Sequence, residues 1–144
     1  MRIVVLVVLL PLTTVASSAV SEAQTSLGWT TLDEVYVDPR TDRVVYPETI
    51  RPLRGETIRV TGFLLPLDAH TSPKRFLLSA LSLADCFYCQ PTGPGTTIEV
   101  RAAQPVRMQT TRPVRIEGRL VLLSYRGRYD GGLVYRLDRA QLIP

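Results

Sequence analysis

Histidine, lysine and cysteine are almost missing from this chain. One histidine (His70), one lysine (Lys74) and two cysteines (Cys86 and Cys89) stand among 144 residues. A closed structural zinc site takes four ligands, mostly Cys and His, so these residue types alone cannot fill one within a single copy. Catalytic signatures are equally sparse. There is no Gly-rich phosphate loop, no G-x-S-x-G elbow and no HExxH pair, and His70 is the only conventional base, so no enzyme is expected. Asp33 and Glu34 are adjacent and point in different directions on a helical turn; they read as surface acids. The formal charge of +4 comes almost wholly from arginine. Those arginines are scattered among acids rather than gathered into the stripe that nucleic acid requires, so nucleic acid is not an expected partner.

Apolar runs are short as well. The longest opens the chain in "MRIVVLVVLLPLTTVASSAVSEAQ". Arg2 is a positive n-region, Ile3 to Leu10 an apolar h-region, and Ala16 to Ala19 with Ser21 and Ala23 supply the small residues of a cleavage site, the order of a secretory signal peptide. Pro11 and the hydroxyls that follow stop the run well below the roughly 20 residues a bilayer span needs. Residues 1–23 are therefore expected to be a signal peptide, cleaved after Ala19 or Ala23. No cysteine stands there to carry a lipid anchor. The expected product is periplasmic or secreted, with no transmembrane segment in the mature chain.

About 120 residues follow, enough for one core. Residues 24–55 are rich in Pro, Thr and charge, with one helix-like turn at "WTTLDEVYV" (Trp29 to Val37), and read as a lead-in segment packing on the domain. Residues 56–144 change to short alternating runs broken by Gly and Pro, the pattern of regularly spaced strands. Five are expected: Thr57 to Leu65, Arg75 to Ala80, Thr97 to Arg101, Val114 to Leu123, and Leu133 to Leu137. Two of them, "IRVTGFLL" and "VRIEGRLV", share one order of residues. Each puts Ile58, Val60 and Leu64, or Val114, Ile116 and Leu120, on a single face. Gly62 and Gly118 interrupt them where a strand bends sharply or another backbone comes close. The fold class expected is all-β: a small five-stranded OB-like barrel, which removes sheet edges by near closure.

Several spaced motifs resemble a known family. "GFLLPL" (Gly62 to Leu67), "FLL" (Phe76 to Leu78), the loop cysteine Cys86, "VRIEGRL", the terminal "YRL" (Tyr135 to Leu137) and the leading Trp29 and Leu32 are similar to the exported bacterial domain-of-unknown-function family 3299 (DUF3299). The resemblance spans nearly the whole mature chain. It implies a small exported accessory protein with no established activity, encoded near transport systems and linked to metal handling, with envelope transport components as partners.

Cys86 and Cys89 sit in "DCFYCQPTGPG", and three chemistries are open to them. An even count in an exported chain favours a disulfide. A metal site would add His70 and Asp85, or Asp68, or a second copy's cysteines, and would take zinc or copper, though no cofactor is required. Redox exchange wants a helix N-terminus after the pair, which Pro91, Gly93, Pro94 and Gly95 disfavour. A second candidate is the stretch "SYRGRYDGGLVYR". It interleaves Tyr125, Tyr129 and Tyr135 with Arg126 and Arg128, in the connection that OB barrels use for ligands. The expected function is an exported cell-envelope accessory or binding protein, in metal handling near a transport system. The alternative is a periplasmic ligand- or partner-binding OB module with a structural disulfide.

Overall fold

The computed structural model describes residues 25–69, 71–82, 93–124 and 132–144. In chain order they form β1 (Thr25–Ser26), α1 (Trp29–Leu32), β2 (Tyr36–Asp38), β3 (Arg43–Val45), a 3-10 turn at Arg51–Leu53, β4 (Thr57–Pro66), β5 (Arg75–Ser79), β6 (Thr97–Ala102), β7 (Val114–Leu122) and β8 (Tyr135–Ile143). Among the described residues no helix is long and apolar enough to cross a membrane.

The long strands alternate as the sequence pattern requires. In β4, Ile58, Val60 and Leu64 are buried while Thr57 and Thr61 are exposed; in β7, Val114, Ile116 and Leu120 are buried while Arg115 and Arg119 are exposed. Period-two burial of this kind gives each strand one apolar face. Those faces meet in one core that also holds Phe76, Leu78, Ile98, Val100 and Leu137.

Pairing runs in the order β4-β5-β6-β8-β7, and β7 returns to β4, so the sheet closes; β1 adds two residues beside β4. All barrel pairs are antiparallel except β6 with β8. This is the five-stranded OB-like barrel expected, and closure leaves its five strands without a free edge.

The two glycines lie where β4 and β7 pair, Gly62 opposite Val114 and Gly118 opposite Ile58. Both face inward. A β-carbon on Gly62 would stand 2.6 Å from the Ser79 carbonyl oxygen and 2.8 Å from the Trp29 ring; one on Gly118 would stand 3.1 Å from Ala140 Cβ and from Leu137 Cβ. Close approach of the neighbouring strand, joined at Gly62 by the Trp29 ring, is thus the reason for glycine at both.

The structure corrects two details. The last strand runs well past Leu137, because β8 carries a bulge: the register with β7 slips between Glu117 and Arg119, and Arg139 adopts a positive φ of 52°. A bulge breaks the period of two, which hides the strand's second half. The lead-in segment also holds more than its one helix-like turn, since β2 and β3 form an antiparallel hairpin with Tyr36 opposite Val45. Upstream residues reach the core directly: Leu32, Val35 and Ile50 are buried in it.

Candidate functional site at one end of the barrel

Strand direction decides which connections share an end. Ser79 pairs with Thr97 where β5 hands over to β6, and Leu122 pairs with Tyr135 where β7 hands over to β8. β6 and β8 are parallel neighbours with Glu99 beside Arg136, so both start at the same end of the barrel. The connection that holds Cys86 and Cys89 and the one that holds Tyr125 to Tyr129 therefore lead into adjacent strands, β6 and β8, at one end.

The upstream segment seals that end between them. Leu32 is buried, and its carbonyl accepts a hydrogen bond from the Tyr135 hydroxyl at 3.1 Å. The same carbonyl fixes the return from the cysteine connection: a β-carbon on Gly95 would stand 2.2 Å from it, so only glycine fits. Tyr46 closes the other side. Its hydroxyl lies 2.5 Å from the Leu123 carbonyl and 2.6 Å from that of Val134, one proton shared between two acceptors. Val134 O also accepts from the Leu123 amide at 2.8 Å. The Tyr46 and Tyr135 rings meet at 5.5 Å, tilted by 56°, an edge-type contact that aromatic quadrupoles favour. Burial pushes the Tyr46 phenol up to about 12. It raises that of Tyr135 as well, reinforced by Tyr46, Asp33 and Glu34. Both phenols are therefore protonated donors at neutral pH.

The placement of Tyr135 is a correction. Its position among alternating Tyr and Arg suggests a side chain offered to a ligand, but it is fully buried at the start of β8, with its hydroxyl spent on Leu32. Inward alternation of β8 claims it for the core. His70, Asp85, Cys86, Cys89, Tyr125, Arg126, Arg128 and Tyr129 lie outside the described residues. Residue 70 belongs to the connection entering β5 at Arg75, and the cysteines to the connection leaving it after Ser79, so the anchors are separated by the strand, about 13 Å at 3.4 Å per residue. Among the described residues no group of three or more His, Cys, Asp or Glu side chains is placed to hold a metal ion.

Two features escape the sequence pattern. A groove of about 590 Å³ separates the β2–β3 hairpin from the barrel, floored by Val44, Tyr46 and Leu122 and rimmed by Arg43, Arg51 and Arg54. On the outer wall, Arg75 and Arg101 stand opposite one another across β5 and β6. The Nε of each donates to Glu99 Oε1, at 2.8 and 3.1 Å. Alternation puts these side chains on the outer face, but only the register brings them together.

A family model described as "Protein of unknown function (DUF3299)" matches residues 16–144. No curated protein and no solved structure matches the chain.

Proposed function

The chain belongs to the DUF3299 family, and from that premise we propose that it is an exported accessory protein of the cell envelope that acts by binding, with the sealed end of its barrel as the working surface. The observation supporting this is the shared end itself: β6 and β8 start side by side, so the connections that carry the thiol pair and the Tyr/Arg stretch lead into neighbouring strands at the end where Leu32, Tyr46 and Tyr135 are locked together. Function-bearing residues on connections held by a rigid scaffold are the common arrangement for binding sites. With the thiols reduced, the end is a metal-handling site in the service of a transport system, soft thiolates selecting zinc or copper. With the thiols joined, it is a ligand- or partner-binding module presenting Arg126 and Arg128.

Purification from the periplasm without chelator separates the two forms. Near-stoichiometric zinc or copper, lost in Cys86→Ala or Cys89→Ala, assigns metal handling. A metal-free protein with a disulfide, whose partner retention falls in Arg126→Ala/Arg128→Ala, assigns the binding module. A reduced, metal-free protein indifferent to the arginine substitutions overturns the reading, as does a chain that is never exported.

A further inference from the structure

We infer that the outer wall of β5 and β6 carries a subsite for a phosphate group, formed by the paired guanidinium forks of Arg75 and Arg101. It lies on the barrel's side and does not depend on the sealed end.

Like charges directly opposite one another on a sheet are destabilising, and Arg75 and Arg101 are such a pair. Glu99 is what holds them. Its side chain is only 6% exposed, and one oxygen, Oε1, accepts from both Nε atoms. That single carboxylate offsets one of the two positive charges. The neighbouring charges balance by themselves: Arg136 is tied to both carboxylate oxygens of Asp138, at 2.7 and 3.1 Å. One positive charge is left over on the pair.

The geometry is specific as well as charged. Each guanidinium meets Glu99 through its Nε edge, while the arginine side chains are 64% and 52% exposed. Among the described residues, no hydrogen bond is made by the Nη atoms of either side chain. Two planar forks are thus anchored at their inner edges by a buried acid, with outer donors directed to solvent on adjacent strands. Anchoring removes much of the rotamer entropy an exposed arginine loses on binding. A tetrahedral oxyanion has enough oxygens to take paired donors from both forks, as arginines bind phosphate. Chloride, a single acceptor point, cannot exploit the arrangement.

The group could reach the wall as a soluble phosphate or as an anionic lipid headgroup, and the test has an arm for each. Nitrogen-15 spectra of the arginine Nε–H groups are recorded on the full mature chain while inorganic phosphate is added at constant ionic strength. Saturable shifts are expected for Arg75 and Arg101, with a dissociation constant of about 1 mM or tighter, and none for Arg136, whose fork is already filled. Arg75→Lys/Arg101→Lys keeps both charges and a partner for Glu99 but loses the forks, and should weaken binding at least about tenfold. If that pair fails to fold, Arg75→Ala alone serves, because Arg101 still partners Glu99. Co-sedimentation with phosphatidylglycerol vesicles, absent with phosphatidylcholine and lost in the same variant, assigns the headgroup as source; phosphate binding without vesicle binding assigns a soluble phosphate ester. An equal response to chloride, binding unchanged by the substitutions, or binding to neither probe overturns the subsite.

Discussion

Gly118 of β7 lies against Ala140 of β8 so closely that a β-carbon on the glycine would stand 3.1 Å from the alanine's own. The contact exists because the Arg139 bulge turns Ala140 inward, where it is buried beside Leu137. Side-chain neighbours can yield by a few tenths of an ångström, whereas the Ser79 carbonyl facing Gly62 at 2.6 Å is part of a strand and cannot. Gly62→Ala should therefore destabilise by roughly 2–3 kcal/mol and Gly118→Ala by about 1 kcal/mol or less, with Gly118→Val in the 1–3 kcal/mol range of overpacking. Denaturant unfolding checks the order; a rise in stability for valine at either glycine would contradict the close approach described above.

Arg139 makes the complementary case. It holds a left-handed conformation at φ 52°, which costs a non-glycine residue about 1–2 kcal/mol. Arg139→Gly should raise the melting temperature slightly, and Arg139→Val should lower it, since a branched residue tolerates that conformation least.

Tyr46 joins the upstream segment to the neck of the β7–β8 connection through a single hydroxyl. Tyr46→Phe keeps the ring packing and leaves the Leu123 carbonyl short of a donor, while Val134 O keeps the Leu123 amide, at an expected cost of about 1–2 kcal/mol. Amide exchange should then accelerate at Leu123 before it does in β4, because the neck opens locally.

Alkaline conditions test the same phenol. Burial holds Tyr46 at about 12, against roughly 10 in an unfolded chain. The folded state keeps its proton more tightly, so this contribution is complete below pH 10 and is lost as pH rises through 12, at up to about 1.4 kcal/mol per pH unit. Tyr135 adds to the loss in the same direction. Melting temperatures between pH 9 and 12 should fall along this curve, and Tyr46→Phe should flatten it.

The thiols are tested by mass. Joined in a disulfide, Cys86 and Cys89 give an intact mature mass two hydrogen atoms below the reduced value. Replacing both then costs no more than about 2 kcal/mol, because only a short loop is released. A reduced mass with bound zinc or copper under native conditions would instead make the pair a ligand set.

Most of the barrel is legible because its strands obey a period of two: spacing alone turns Ile58, Val60 and Leu64, and Val114, Ile116 and Leu120, inward, and all six are buried. The repeated central glycine marked the two strands that pair with each other. What escaped was whatever depends on register or on broken alternation. Arg139 disguises the second half of β8, and β2 and β3 are three residues each, too short for periodicity to register. The Arg75–Glu99–Arg101 cluster joins Arg75 of β5 to two residues of β6, and that proximity is a property of pairing. Tyr135 misleads for a related reason: composition groups it with its neighbours in the Tyr/Arg stretch, while strand parity puts it inside.

β8 is the only strand that borders both β6 and β7. Until it has been made, β6 and β7 each present an unpaired edge, and a nascent chain has no means of sealing the cylinder. Sealing is thereby the work of one strand, and the edges left open before it docks are those most prone to stray pairing.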